Sequence, residues 1–235
     1  MLDAKEMQGV AAGRANTYAM LSALILAPPS KELTAAICEG GIRQPPDSAL
    51  AEAANTLTEC LRRAVAEGDS SDTHAEGEIA AEYTRLFVLP FGVVPNESFY
   101  VDKKKQVGGH VTVEVQQFYD EAAAQLIGTQ MELADHMGVE LEFMKFLCDL
   151  ESRFWEAENE EGLEICVGFQ RRFLEEHLLR WHQALGQKII EDSALDLYRA
   201  LARLTVDFLE AERGFVPALA QKICFEGWTP CLSES

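Results

Sequence analysis

Asp135-His-Met-Gly-Val-Glu-Leu-Glu-Phe-Met-Lys-Phe-Leu-Cys-Asp-Leu-Glu-Ser-Arg-Phe-Trp-Glu156 is the stretch whose periodicity sets the architecture. At about 100° per residue, Asp135, Glu142, Lys145, Asp149, Ser152, Arg153 and Glu156 gather into one solvent sector. Met137, Leu141, Phe143, Met144, Leu147, Leu150 and Phe154 fill the opposite side. Alternation of period two is nearly absent from the chain, and the short run 111–115 reads as the lead-in to a helix. The fold class is therefore all-α.

Three polar residues, His136, Glu140 and Glu151, fall on the apolar side of this helix. His136 and Glu140 are one turn apart. A buried carboxylate is costly unless it is paired. Protonated His136, a backbone donor from the loop around Glu97, or His177 from the next helix would each serve Glu140. Phe169, Phe173, His177 and Trp181 recur every fourth residue, so His177 also faces inward. Either a structural network or a polar binding site fits this pattern. A histidine beside a carboxylate in an apolar setting is expected to titrate near neutrality.

Punctuation places the remaining elements. A first helix runs from about 3 to 26 and stops at Pro28-Pro29; a short one covers about 30 to 39 and closes at Gly40-Gly41. A third spans about 47 to 67. The fourth starts at a capping-box spacing, Thr73-x-x-Glu76, and ends before Pro90. Between Pro90 and His110 lies a long loop with the Lys103-Lys104-Lys105 run, and such loops are functional or mobile. Further helices are expected over about 113–127, 130–157 (after a Thr129-x-x-Glu132 box), 160–185 and 193–212. One helical-bundle domain of about eight to ten helices follows over 1–235. Its N-terminal lobe covers about 1–90, its hinge about 90–112, its C-terminal lobe about 113–212, and its tail 213–235.

The chain has 235 residues, 48% of them hydrophobic and 25% charged, enough for a sizeable core. Its formal charge of −19 repels nucleic-acid phosphates and favours basic partners. The apolar run 15–27 is too short to span a bilayer and lacks a basic flank, so a cytoplasmic protein with no stable membrane insertion is expected. Six scattered cysteines without a C-x-x-C pair indicate neither zinc nor an iron-sulfur cluster. A disulfide between Cys224 and Cys231 is the one pairing that spacing suggests, with spectator thiols as the simpler reading.

Catalytic signatures are missing. No histidine has a Glu three positions before it, as a di-iron bundle requires, and there is no phosphate-cradling glycine loop and no nucleophile elbow. His136 and Glu140 form the one pair available for acid/base or metal chemistry, which leaves a helical nucleotide-dependent switch or hydrolase as the alternative reading. The expectation is a protein that is not an enzyme and binds no metal.

Three blocks carry a resemblance. Tyr83-x-x-Leu86-Phe87-x-x-Pro90 leads to Pro95-x-Glu97-Ser98-x-Tyr100; then come Asp135-His136-x-x-x-Glu140-Leu141-x-Phe143-Met144 and Phe173-Leu174-x-x-His177-Leu178-x-x-Trp181. In order and spacing they resemble the TorD/DmsD family of cytoplasmic chaperones, the redox enzyme maturation proteins. The resemblance implies a TorD-like all-α fold and a chaperone that binds the twin-arginine signal peptide and the apo form of a molybdopterin-dependent oxidoreductase. Such a chaperone assists cofactor insertion and prevents premature export. The resemblance also implies weak guanine-nucleotide binding, and a ligand-recognition region at Glu97, Ser98, Tyr100, Asp135 and His136, with Tyr83, Phe87 and Pro90 beside it. Pro95 and Glu140 complete the peptide-binding set read from the sequence. A monomer is expected, and exchange of C-terminal helices through the long loop gives a domain-swapped dimer as its variant.

Overall fold

Asp3 opens the first helix, its carboxylate accepting from the Glu6 amide at 2.9 Å, which supplies one of the four amide partners that a helix start lacks. The computed structural model describes residues 3–40, 49–68, 74–122 and 132–226. Among them run ten α-helices and no named strand. They are α1 (Ala4–Leu26), α2 (Lys31–Gly40), α3 (Ala49–Gly68), α4 (His74–Tyr83), α5 (Glu97–Val101), α6 (His110–Glu121), α7 (Met137–Glu156), α8 (Glu160–Glu176), α9 (His182–Asp192) and α10 (Asp196–Glu226). The capping residues Thr73 and Thr129, the end of the helix expected over 113–127, and the side chains of Cys224 and Cys231 lie outside the described residues.

The α1–α7 pair is the spine. Gly138 lets the two helices close up, because a Cβ there would sit 2.5 Å from Leu26 Cγ, and Ser22 Oγ donates to the Gly138 carbonyl at 2.7 Å. Around this pair, α10 packs on α3, α8 and α9, and α7 on α8. The core is continuous through Tyr18, Leu21, Phe143, Phe173, Trp181 and Tyr198, all essentially fully buried. Each such side chain contributes about 1.5–3 kcal/mol over an exposed position.

The spine also encloses a charge. Arg14 is buried and donates to Glu151 (2.6 Å), Glu212 (2.7 Å) and Gln170 (2.7 Å), while Tyr18 donates to Glu212 at 2.9 Å. Four helices, α1, α7, α8 and α10, are thereby tied at one point. Glu151, a polar exception on the α7 wheel, belongs to this knot.

Several boundaries differ from the sequence reading. The helix expected from about 130 begins at Met137, so Asp135 and His136 precede it, and Asp135 is fully buried instead of facing solvent. The helix expected over 160–185 breaks at His177, whose backbone (φ −126°, ψ −87°) is not helical; a 3-10 turn, Leu178–Arg180, then leads into α9. At this break the ring of His177 meets Glu97, its Nδ1 2.9 Å from Oε2. The segment expected to be one long loop contains α5. Finally, α10 continues to Glu226 through Pro217, because buried Val216 and Leu219 extend its apolar stripe.

Candidate functional site

Two extended segments meet back to back just before two helices. Glu97 donates its amide to the Asp135 carbonyl at 2.8 Å and Met137 donates to the Pro95 carbonyl at 2.8 Å, so Asn96 and His136 form an isolated antiparallel bridge. From there the chain enters α5 on one side and α7 on the other. Pro95 suits its place, since it accepts here and has no amide to satisfy.

Asp135 joins three elements. Its Oδ2 accepts from the Ser98 amide in the first turn of α5 (3.0 Å), and its Oδ1 from Thr112 Oγ1 on α6 (2.9 Å). It acts as a cap supplied from outside, placing a negative charge at the positive end of a helix too short to hold itself. Ser98 Oγ in turn accepts from the Gly108 amide at 3.0 Å, which anchors the return of the loop. Gly108 and Gly109 have φ of 93° and 86°, a conformation glycine adopts without steric cost.

His136 caps α7 through Nδ1, which accepts from the Gly138 amide at 3.1 Å. Its proton therefore resides on Nε2. Burial pushes the ring down to about 4, against the pull of Asp135. The expected titration near neutrality is overturned: an imidazolium would have no lone pair for the amide and would sit at a helix N-terminus. His136 is also not the partner of Glu140.

That partner is Trp181, whose Nε1 donates to Glu140 Oε2 at 3.3 Å; Oε1 has no hydrogen-bond partner among the described residues. Burial, then the charges of Glu97 and Asp135, push Glu140 well above the usual carboxylate range, with Trp181 and Arg180 pulling the other way. His177 meets Glu97 and not Glu140: Nδ1 lies 2.9 Å from Oε2, and Arg180 adds a longer contact of 3.4 Å to Oε1. Tyr100 stacks on Trp181 with centroids 5.5 Å apart, and its hydroxyl is pushed up by burial.

The structure thus gathers Pro95, Glu97, Ser98, Tyr100, Asp135, His136 and Glu140 in one region. Glu97, Ser98, Asp135 and Glu140 are 0% exposed and His136 is 5% exposed. Tyr83 lies at the end of α1, its hydroxyl donating to the Leu26 carbonyl at 2.6 Å, and packs on Phe87, which packs on Tyr198. Phe87 lies in a π turn, Thr84–Val88, after which the chain is exposed. Gly92 folds it back so tightly that a Cβ would overlap the carbonyl oxygens of Arg85 and Leu86. The result is an apolar tip, with Val88 and Leu89 exposed, Pro90 exposed and Phe91 99% exposed.

Residues 43–186, more than half of the chain, match the family described as the nitrate reductase delta subunit. The chain belongs to this family. Among its relatives, the chaperone protein TorD of Vibrio parahaemolyticus is 24% identical over 172 residues, 72% of this chain and 76% of that protein. TorD of Vibrio vulnificus strain YJ016 is 27% identical over 164 residues, 69% and 73% of the two chains. A crystal structure from Archaeoglobus fulgidus, described as a redox enzyme maturation protein, shares the fold at a TM-score of 0.50 and 22% identity, covering 84% of this chain and 93% of that one. The TorD/DmsD resemblance of the motif blocks and the all-α architecture agree with these matches.

The partners of the site were only partly visible in sequence. Trp181 was legible from its four-residue spacing with His177, but Thr112 and Arg180 carry no local signal, because their role arises from packing between elements distant in sequence. Among the described residues no group of three or more His, Cys, Asp or Glu is placed to hold a metal ion. No helix among them is long and apolar enough to cross a membrane.

Proposed function

We propose that this protein is a non-catalytic cytoplasmic chaperone of molybdopterin-dependent oxidoreductases, which binds the twin-arginine signal peptide and the apo form of its client until the cofactor is inserted. One observation carries the reading. A single segment, 88–100, presents a solvent-facing apolar tip at one end and is locked at the other onto a buried bank of carboxylates. A twin-arginine leader has the complementary halves, an apolar stretch and a basic end. In this reading Phe91, Leu89 and Val88 take up the apolar stretch with Pro90 and Phe87 beneath them, since a patch this exposed marks an interaction surface. Glu97, Ser98, Asp135, His136 and Glu140 set the platform and its field, and Tyr83 and Tyr100 border it.

The names of the relatives support a chaperone role, and the missing catalytic patterns agree with it. Calorimetry with a synthetic twin-arginine leader peptide tests it. Saturable binding is expected, weaker at high salt and much weaker in Phe91→Ser, a surface change that leaves the fold intact. Absence of binding across a panel of such leaders refutes it.

A further inference from the structure

The apolar tip grows out of a π turn, Thr84–Val88, closed by the Leu89 amide, which donates to the Thr84 carbonyl at 2.9 Å. Such turns are rare, occur mostly singly and are frequent at functional sites. Two further bonds close the tip on itself: Val93 donates to the Leu86 carbonyl at 2.6 Å and Gly92 to the Leu89 carbonyl at 3.0 Å. All three bonds lie within 84–93, so none of them fixes the tip against the rest of the molecule.

Glu82 and Arg85 supply that tie. Arg85 donates to both oxygens of Glu82, from Nε to Oε2 at 2.7 Å and from Nη2 to Oε1 at 2.8 Å, the forked geometry that makes arginine–carboxylate pairs strong and directional. Nη2 also donates to the carbonyl of Asp192, the last residue of α9, where a helix leaves its carbonyls without intrahelical partners. Glu82 Oε1 accepts in addition from the Ala194 amide and, at 3.4 Å, from Ser193 Oγ, both in the turn between α9 and α10. Arg85 holds the Glu82 carboxyl below the usual carboxylate range. Glu82 is 7% exposed and both its oxygens are engaged, so it is not available to a peptide. Tyr83 and Phe87 flank this joint and pack on Tyr198 of α10, a contact without comparable direction.

We infer that Glu82 and Arg85 are positioning residues for the apolar tip: by joining the π turn to the turn between α9 and α10, they hold Val88, Leu89 and Phe91 in the arrangement that takes up the apolar stretch of a bound peptide. This rests on the peptide-binding reading above and adds to it the residues that set the tip before a peptide arrives. A surface set in advance loses less freedom on binding. If release of the joint leaves the tip in its binding arrangement about a fifth of the time, apparent affinity falls about fivefold.

The test uses the full-length protein and a synthetic twin-arginine leader peptide, with binding read by calorimetry and opening of the tip by amide exchange at Gly92 and Val93. In R85M, which keeps the aliphatic stem and removes the guanidinium, affinity is expected to fall about three- to tenfold. Exchange at Gly92 and Val93 accelerates, while exchange at Leu147 in α7 does not. R85K, whose ammonium lacks the planar fork, loses less. V88S/L89S/F91S removes the surface that the joint positions, so adding R85M to it causes no further loss, a non-additivity that a merely structural role would not produce. E82Q reports on the same joint should R85M fail to fold. Wild-type affinity in both R85M and E82Q, or a loss on adding R85M to the triple variant equal to its loss in the wild type, overturns the positioning role while leaving the peptide reading in place. A wild-type protein that binds no leader, or a triple variant that binds as tightly as the wild type, refutes the peptide reading and this inference with it.

Discussion

Glu140→Gln separates a carboxyl that is buried as a neutral group from one that is buried as an ion. Glu140 is fully enclosed, receives one hydrogen bond from Trp181, and stands near the charges of Glu97 and Asp135, so its folded-state pKa lies well above the unfolded value. Between those two values the folded state keeps a proton that the unfolded chain has released. The associated stability is complete below the unfolded pKa, near 4.3, and falls as pH rises toward the folded one, by about 1.4 kcal/mol per pH unit. Glutamine has no proton to lose, and its carbonyl can accept from Trp181 as the carboxylate oxygen does. Near pH 4 the two proteins should match within about 1 kcal/mol, the scale of one altered hydrogen bond. As pH rises the variant should gain on the wild type, and the gain should continue until the folded-state pKa is passed. Urea denaturation followed by far-UV circular dichroism at pH 4, 5, 6, 7 and 8 gives the difference curve directly. A flat difference, or a wild type that gains on the variant with rising pH, refutes the assignment. Because Glu97 is one of the causes of the shift, the same curve in a Glu97→Gln background should rise over a narrower range that ends at lower pH.

Arg14→Met strands Glu151 and Glu212 in the core and should cost about 3–5 kcal/mol, whereas Arg14→Met/Glu151→Met/Glu212→Leu should recover most of it, read by urea midpoints. Gly92→Ala drives a Cβ into two backbone carbonyls and should cost about 1–3 kcal/mol, whereas Gly108→Ala meets open space and only backbone strain of about 1–2 kcal/mol; equal and negligible melting shifts would contradict the turn geometry. Ser98→Ala removes the anchor of Gly108, so amide exchange at Gly108 should accelerate while exchange in the core of α7 does not; unchanged protection would show that the loop return is held by something else.

The fold was largely legible because it is written in local periodicity. The apolar side of α7 is where the wheel puts it, with Met137, Leu141, Phe143, Met144 and Leu147 all buried. What failed is equally specific. Asp135 reads as a surface residue on a wheel, yet it is buried because it caps a helix whose Ser98 amide lies 37 positions earlier in the chain. None of the three partners expected for Glu140 is the one it has, for the same reason: spacing shows that His177 and Glu140 both face inward, but not which element stands opposite, and it is Trp181 that reaches Glu140 while His177 meets Glu97. Arg14 escaped notice because a single arginine beside an apolar run looks like a solvated one, and its three carboxylate and amide partners come from three other helices.

Burying three acidic side chains near one another is an expensive way to hold helices together, since well-packed apolar side chains of similar volume are often as stable or more so. The structure shows what the arrangement supplies instead. Asp135 ties α5, α6 and the start of α7; Glu97 ties α5 to the break after α8; Glu140 ties α7 to Trp181, on which Tyr100 of α5 stacks. Each bond is directional, so together they set the orientation of the 88–100 segment against α7 and α8, which non-directional packing would leave freer. The same segment carries the apolar tip at its start, so the bonds made by Glu97 and Ser98 at its far end hold the base from which Val88, Leu89 and Phe91 project.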